Sequence, residues 1–418
     1  MAKRHAFRPG DWETVARRLD EIISAGSGED AFQQARMLLL AKLAHEAGGQ
    51  PAASFLADPG PLSAQIDRLL ATARSRWPGV IEADSRSLLD DIALGRCGQV
   101  LRATRLLADD LVGLDAIFEF IVSRAAKGEK GQFFTPRHVI AAVVDMLQPQ
   151  ADEWVVDPAC GSGGFLHHAR RLAPGCQLVG FDVDARAVQV ARIVLSALDV
   201  SPLRIQRLDS LQRPVADRPT PCIEQCMREL DPDWAGFDVV LTNPPFAGDV
   251  GDAYAAQYEL ASERRVERDV LFAERCLGLL RPGGRLGIVL PQNKFSSAGW
   301  TYLRRFLLQR LQDVAVISLA RSTFLPHTSQ KACVLIGRKR RLSRSGRVDA
   351  SSLPGQRLLF FVSDRAGKDD RGRLLTLAEP GDGKGLAEPS RSGPPRIDHD
   401  LDQATPLVQR HLFAGHEA

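Results

Sequence analysis

The sequence contains 418 residues, of which 44% are hydrophobic and 25% are charged. This composition is ordinary for a soluble globular protein, and the length gives room for about two or three domains. The formal net charge is only +3, which excludes a polycation. A nucleic-acid-binding site would therefore have to be a local patch of the surface.

The sequence carries few signs of a metal site or of a membrane location. Its seven cysteines are irregularly spaced, and only Cys222 and Cys226 lie close together. Without a second pair or a histidine partner at zinc-site spacing, we expect reduced, unliganded thiols and no metal. The N-terminus lacks the apolar run of a signal peptide, and no stretch approaches the ~20 apolar residues of a membrane span. These features predict a cytoplasmic protein that has no membrane partner.

The first part of the chain has a helical pattern. Apolar residues recur at helical spacing in 11–23, 31–49 and 61–77, and Gly, Pro and Ser separate these segments. No strand pattern occurs before residue 150. We therefore predict a helical N-terminal domain over residues 1–128.

From residue 129 to residue 340, short apolar runs alternate with helical patterns. Strands are predicted at "EWVVDPA", "CQLVGFDVD", "LRIQRLDSL", "FDVVLTNPP", "RLGIVLP", "DVAVISL" and "KACVLIGRK". Such alternation predicts a Rossmann-like, doubly wound α/β sheet that binds ligands at the carboxyl ends of its strands. Residues 341–418 form a polar, partly disordered extension by composition, in which "LLFFVSD" is one further candidate strand.

A glycine loop follows the first strand, in "VVDPACGSGGFL". Glycine permits a tight turn and a close approach of the backbone to a ligand. The loop is neither a Walker P-loop nor a G-x-G-x-x-G fingerprint, because Leu166 stands at the third glycine position. An ordinary turn with glycines for packing is the alternative. The candidate ligand-binding residues of this loop are Asp157, Pro158, Ala159, Cys160, Gly161, Ser162, Gly163 and Gly164.

Carboxylates end the next two strands. Asp182 lies 25 residues after Asp157, where a ribose-binding acid is expected at the tip of the second strand. Two acids beside a glycine loop suit a cationic cofactor without phosphates, which favours S-adenosylmethionine over NAD or ATP. Asp209 ends the third strand, where it could either meet the adenine of the cofactor or be a solvated loop acid.

The fourth strand ends in "TNPPF", where two prolines terminate the strand and stiffen the turn. In a doubly wound fold this turn lies beside the glycine loop. The side-chain oxygen of Asn243 and the carbonyl of Pro244 could then accept both N6–H bonds of an adenine, with Pro245 holding the turn. Phe246 offers a face for stacking, and a base from a duplex would have to be flipped out. The alternative is a strand terminator with a packing phenylalanine.

Methylation of cytosine C5 is a different chemistry, which uses a cysteine nucleophile. Pro221-Cys222 is a dipeptide of the type required, but it lies in a polar insertion before the Asn243 strand, and no Glu-Asn-Val follows. We interpret it as coincidence.

Three motifs in order, "GQFFTPR", "DPACGSGGFL" and "TNPPF", resemble the modification subunits of type I restriction-modification systems. The similarity extends over residues 10–340. It implies a class I S-adenosylmethionine-dependent methyltransferase core that modifies N6 of adenine in double-stranded DNA. It also implies that the helical N-terminal domain helps to close over DNA. The cofactor-binding residues that the resemblance adds are Gln132, Phe133, Phe134, Thr135, Pro136 and Arg137.

No target-recognition domain is evident in the sequence, so the resemblance implies a separate specificity subunit as partner, with a restriction subunit as a further possible partner. Methylation of RNA bases or of protein glutamine remains an alternative, as does a non-catalytic binding module. The basic run from Arg338 to Arg347 is either a phosphate contact or a solvated linker. His167 and His168 are interpreted as packing or surface residues of a helix.

Overall fold

The computed structural model describes residues 12–27, 31–107, 117, 135–198, 200, 203–214, 221–246, 248, 254, 256–261, 267–341, 357–373, 375 and 397–413. The chain divides into two compact units, Met1–Lys130 with Arg186–Leu203, and Gly131–Ala185 with Arg204–Ala418. The predicted domain limits at residues 128 and 340 remain predictions.

The helices and strands are as follows in chain order. The helices are α1 (Trp12–Ser27), α2 (Ala31–Ala47), α3 (Leu62–Arg76), α4 (Asp91–Arg102), α5 (Arg137–Leu147), α6 (Gly164–Leu172), α7 (Ala185–Ser196), α8 (Ile223–Leu230), α9 (Arg268–Leu279), α10 (Asn293–Ser296), α11 (Thr301–Arg310) and α12 (Leu401–Phe413). The strands are β1 (Trp154–Asp157), β2 (Gln177–Asp182), β3 (Ile205–Arg207), β4 (Phe237–Thr242), β5 (Leu280–Pro291), β6 (Leu311–Ser318), β7 (Ala332–Lys339) and β8 (Leu358–Val362).

The first unit contains α1, α2 and α3, which the apolar spacing predicts, and α4, which lies in the predicted helical domain but outside those three segments. Helix α2 is buried on all sides, so even Lys42 and Glu46 are buried and form an ion pair at 3.2 Å. The Glu46 carboxylate also accepts the backbone N–H groups of Leu106 and Leu107. These contacts satisfy a charge that burial alone would make costly.

The second unit contains one eight-stranded sheet with the order β3-β2-β1-β4-β5-β7-β6-β8. Strand β7 runs antiparallel to both of its neighbours, and the other pairs of neighbours are parallel. The predicted α/β, doubly wound fold class with N-terminal helices is confirmed. The strand order reverses between β1 and β4, which is where such sheets bind ligands.

Helix α5 is fixed against the sheet and against α6 by two glycines. A Cβ at Gly287 of β5 would lie 2.7 Å from Cδ1 of Leu147, and one at Gly164 would lie 2.8 Å from Cδ1 of Ile140. The carbonyls of Leu147 and Gln148 accept hydrogen bonds from the Arg285 guanidinium at 2.7 and 3.1 Å. Helix α5 is therefore held in a defined position.

The C-terminal part contributes more structure than its composition predicts. The candidate strand is confirmed as β8, which pairs with β6. The unpredicted α12 buries Leu401, Ala404, Val408 and Leu412, and its Gln409 donates to the Asp145 carbonyl of α5 at 2.7 Å. Pro406 inside the helix and its many polar residues hide this pattern in the sequence. Residues 376–396 of the predicted extension lie outside the described residues.

The basic run begins with a structural arginine. Arg338 is buried and donates to the Leu412 carbonyl at the end of α12 at 3.0 Å. It is therefore neither a phosphate contact nor part of a solvated linker. Residues 342–347 of the run lie outside the described part of the chain.

Replacing Gly287 by Ala tests the packing of α5. The added methyl group would overlap Leu147 and Val143, so we expect the free energy of unfolding to fall by about 1–3 kcal/mol in urea denaturation. Gly299→Ala is the matched control, because a Cβ there meets no atom within 4 Å. Equal stability of the two variants would show that α5 is not held in this way.

Candidate active site

The candidate site is assembled from the carboxyl ends of three neighbouring parallel strands. β1 ends at Asp157, β2 at Asp182, and β4 at Thr242, directly before Asn243. β1 pairs with β2 on one side and with β4 on the other. The glycine loop, the ribose-binding candidate and the Asn-Pro-Pro turn therefore leave the sheet along one edge.

The glycine loop has the backbone conformation that its sequence predicts. Gly161 and Gly163 have positive φ values of 52° and 87°, which side chains adopt rarely. The Gly163 N–H donates to the Cys160 carbonyl at 2.7 Å, and α6 begins at Gly164. The thiol of Cys160 is buried, and burial raises its pKa well above the ordinary value. The Cys160 N–H donates to the Phe181 carbonyl at 2.9 Å, so both backbone polar groups of Cys160 already have partners, and its role in ligand binding stays a prediction.

Asp182 connects the tip of β2 to the glycine loop. One carboxylate oxygen accepts the Gly161 N–H at 2.9 Å, and the other accepts the Asp184 N–H at 2.9 Å. Each carboxylate oxygen can accept a second hydrogen bond, so both keep capacity for a pair of hydroxyl groups. Next to it, the Val183 side chain is 63% exposed. Sequence reasoning missed this apolar neighbour, although "DVD" contains it.

Asp157 is buried at the end of β1. Burial is the main cause that raises the pKa of its carboxyl group to about 7, and the negative charge of Asp182 acts in the same direction. The Ala159 N–H donates to the carboxylate at 3.0 Å and opposes this rise only in part. Within the described residues, neither Asp157 nor Asp182 forms an ion pair with Lys or Arg.

Asn243 is oriented by a residue 108 positions earlier in the chain. Its Nδ2 donates to the Thr135 hydroxyl at 2.9 Å. Its Oδ1 is buried and accepts no hydrogen bond from any described residue. A buried acceptor without a partner is uncommon and calls for a ligand or an unusual local role.

The rest of the turn supplies rigidity and an aromatic face. Pro244 is buried, and Pro245 and Phe246 are half-buried. The Phe246 ring meets the ring of Phe324 edge to face, with centroids 6.4 Å apart. Sequence reasoning missed Phe324, which lies between β6 and β7 in "TFLPH" and is brought here only by the fold.

Asp209 lies two residues beyond the end of β3, and its carboxylate already has hydrogen-bond partners. One oxygen accepts the Leu211 N–H at 3.0 Å, and the other accepts the hydroxyl proton of Tyr254. The role in adenine binding stays a prediction, and Tyr254 is a neighbour that the sequence did not reveal. A ligand at this position would meet Asp209 together with Tyr254, and not a lone carboxylate.

The remaining residues of the predicted site lie partly inside and partly outside the described part of the chain. Gln132, Phe133 and Phe134 lie outside the described residues. Thr135 and Pro136 precede α5, and Arg137 is its first residue. Pro158, Ala159 and Ser162 lie in the glycine loop between β1 and α6, as predicted.

Other groups that the sequence singled out do not extend the site. Cys222 is buried, and burial raises the pKa of its thiol, which is the opposite of what a nucleophile needs. His167 is also buried, and burial lowers its pKa to about 2. The described residues contain no cluster of three or more His, Cys, Asp or Glu that could hold a metal ion. Nor do they contain a helix that is long and apolar enough to cross a membrane.

Comparison with protein families decides the family. The family described as N-6 DNA Methylase matches residues 108–353, which is more than half of the chain. The chain belongs to the N-6 DNA methylase family. The matched range contains the glycine loop, Asp182 and the Asn-Pro-Pro turn.

The curated relatives of this chain are distant. It is 28% identical over 214 residues to the type II methyltransferase M.VspI of Vibrio sp. (strain 343), which covers 50% of this chain and 48% of the relative. It is 27% identical over 226 residues to the methylase subunit of the Escherichia coli type I restriction enzyme EcoEI. This alignment covers 50% of this chain and 42% of the relative. The chain thus spans less than half the length of these relatives.

Solved structures support the fold. The chain is similar to a modification subunit of a putative type I restriction enzyme from Vibrio vulnificus YJ016, with a TM-score of 0.55 and 16% identity over 89% of this chain and 87% of the other. It is also similar to the methyltransferase subunit of a Streptococcus thermophilus type I restriction-modification system, with a TM-score of 0.54 and 16% identity. This alignment covers 79% of this chain and 85% of the other. At this identity the likeness shows the fold alone.

The burial of Asp157 gives a stability prediction with a definite sign. The folded state holds a proton up to a pH of about 7, whereas an unfolded Asp releases it near ~4. We therefore expect the wild type to lose stability relative to Asp157→Asn as the pH rises from about 4 to about 7. Unfolding midpoints measured across this pH range check it, with Asp84→Asn as a control for loss of an exposed carboxyl group. Parallel pH profiles of wild type and Asp157→Asn would contradict the burial effect.

Proposed function

We propose that this chain is a DNA methyltransferase that transfers a methyl group from S-adenosylmethionine to N6 of a flipped-out adenine. The observation that carries the proposal is the Oδ1 atom of Asn243. This atom is a buried acceptor without a partner in the described structure, held on a proline-stiffened turn beside the glycine loop. An amino group that presents two N–H donors is the chemistry that fits it.

The first support concerns the cofactor. When bound, S-adenosylmethionine supplies an electrophilic methyl group on a sulfonium cation. Asp157 and Asp182 form no ion pair with Lys or Arg among the described residues, so a cationic ligand beside them would favour the ionised forms that burial disfavours. The Asp182 oxygens can accept ribose hydroxyls, and the exposed Val183 can pack against an adenine ring.

The second support concerns the target base. Asn243 Oδ1 accepts one N6–H, and the Pro244 carbonyl, which accepts no hydrogen bond from a described residue, takes the other. Two such bonds favour a pyramidal N6 whose lone pair is free to attack the methyl carbon. Transfer of the methyl group to N6 would leave the electron pair of the carbon–sulfur bond on sulfur, and the proton lost from N6 would go to water. The chain contributes positioning and electrostatic stabilisation of the positive charge that develops on N6.

The third support is the aromatic pair. Phe246 is half-buried, and Phe324 is buried and meets it edge to face, so Phe324 limits how the Phe246 ring can turn. A base that stacks on such a ring gains ~1–3 kcal/mol. A base must leave the duplex to reach a pocket of this kind, which accounts for the flipped-out adenine in the proposal.

We also propose that target recognition comes from a separate specificity subunit, in a type I restriction-modification or related defence system that can include a restriction subunit. Support comes from relatives that are methylase subunits of type I restriction enzymes. Among the described segments after β7, β8 adds a strand to the sheet and α12 packs against α5. Both segments therefore complete the second unit, which supports a recognition domain in another subunit.

Transfer of tritium from labelled S-adenosylmethionine tests the proposed reaction. The chain is purified with its bound partners from cells that encode it and is offered DNA, RNA and protein separately. We expect label in N6-methyladenine of DNA, and a loss of about 100-fold or more for Asn243→Ala. Asn293→Ala, at the start of α10, is the matched control and should retain the wild-type rate.

Other outcomes have defined meanings. Label in RNA or in protein glutamine would replace DNA as the substrate, and an undiminished rate for Asn243→Ala would overturn the proposed base contact. The same assay on the chain produced alone tests the partner proposal. Methylation of one defined DNA sequence by the isolated chain would rule out a required specificity subunit.

A further inference from the structure

We infer that Thr135 is a positioning residue, whose hydroxyl orients the Asn243 amide for the target base. The resemblance to known modification subunits implies a different role for Thr135, in binding the cofactor. The inference rests on the proposed adenine-N6 chemistry, because it states how the acceptor in that chemistry is held.

The direction of the hydrogen bond determines which atom the base would meet. Asn243 Nδ2 donates to Thr135 Oγ at 2.9 Å, so Oδ1 is directed away from Thr135 and stays unpaired in the described structure. A reversed amide would present N–H groups to the N6–H groups of adenine, and two donors cannot pair. A hydroxyl can accept from the amide N–H or donate to the amide oxygen, so the bond holds the Asn243 side chain in place, and the N6–H donors of a bound adenine select the orientation in which Oδ1 faces them.

Both partners in this hydrogen bond directly precede a proline. The ring of Pro136 restricts the backbone of Thr135, and the ring of Pro244 restricts that of Asn243. Thr135 then leads into α5, where the Val139 and Ile140 N–H groups donate to the Pro136 carbonyl at 2.9 and 3.0 Å. Neither side of the bond can relax easily, which suits a preorganised acceptor.

Helix α5 is itself fixed from two sides. Arg285 of β5 holds its C-terminal carbonyls, and Gln409 of α12 donates to the Asp145 carbonyl. The sheet and the C-terminal helix therefore hold the helix into which Thr135 leads. Because Asn243 follows β4, which pairs with β5, the two ends of the bond share one rigid framework.

Thr135→Val keeps the shape of the side chain and removes the hydroxyl. The Asn243 amide then loses its fixed orientation, so we expect kcat for DNA methylation to fall by about 10- to 100-fold. The Kd for S-adenosylmethionine, measured by calorimetry, should change by less than about threefold, because the cofactor contacts proposed here are elsewhere. Thr135→Ser, which retains the hydroxyl, should recover most of the rate.

Two controls separate positioning from other roles. Thr405→Val removes a hydroxyl that donates to the Leu401 carbonyl within α12 and should keep the wild-type kcat. In an Asn243→Ala background, Thr135→Val should cause no further loss, because its effect passes through Asn243. A fall in cofactor affinity that matches the fall in rate, or additive losses in the double variant, would instead place Thr135 on the cofactor and overturn the inference.

A spectroscopic readout distinguishes failure of this inference from failure of the proposed reaction. The side-chain amide signals of Asn243 in 15N-labelled protein report its orientation without any substrate. We expect slow hydrogen exchange of one amide proton in the wild type and in Thr135→Ser, and fast exchange in Thr135→Val. Equal exchange in all three proteins would overturn the inference, whatever the methylation assay shows.

Discussion

The parallel pairing of β1 with β4 determines what the carboxyl edge of this sheet can do. Val155 and Val156 of β1 lie in register with Val239 and Val240 of β4. Because the two strands run in the same direction, the glycine loop and the Asn-Pro-Pro turn leave the sheet at adjacent points. The residues proposed to hold the cofactor and those proposed to hold the base are therefore neighbours by topology.

The site keeps polar groups in states that cost free energy in the absence of a ligand. A buried acceptor without a partner, such as Asn243 Oδ1, costs about 1–3 kcal/mol. Asp157 carries a further cost, because burial disfavours its ionised form at neutral pH. A well-packed sheet and the prolines beside Asn243 allow these costs to persist. Such features are typical of sites that a ligand completes.

Much of the second unit could be predicted from the sequence, because strand tips in a doubly wound sheet follow from local patterns. Asp157, Asp182 and Asn243 each end a recognisable apolar run, and the order of the runs implies a common edge. Contacts between distant segments could not be predicted in this way. The bond between Thr135 and Asn243 and the contact between Phe246 and Phe324 depend on where whole helices and loops pack. Helix α12 escaped prediction because Pro406 and its polar residues obscure its apolar spacing.

Sequencing that detects N6-methyladenine in the genome of the encoding organism tests the central claim most directly. The account predicts that deletion of this gene removes N6-methyladenine from one defined DNA motif. The wild-type gene should restore that methylation, whereas an Asn243→Ala gene should not. An unchanged pattern of adenine methylation after deletion, or full restoration by Asn243→Ala, would contradict the account.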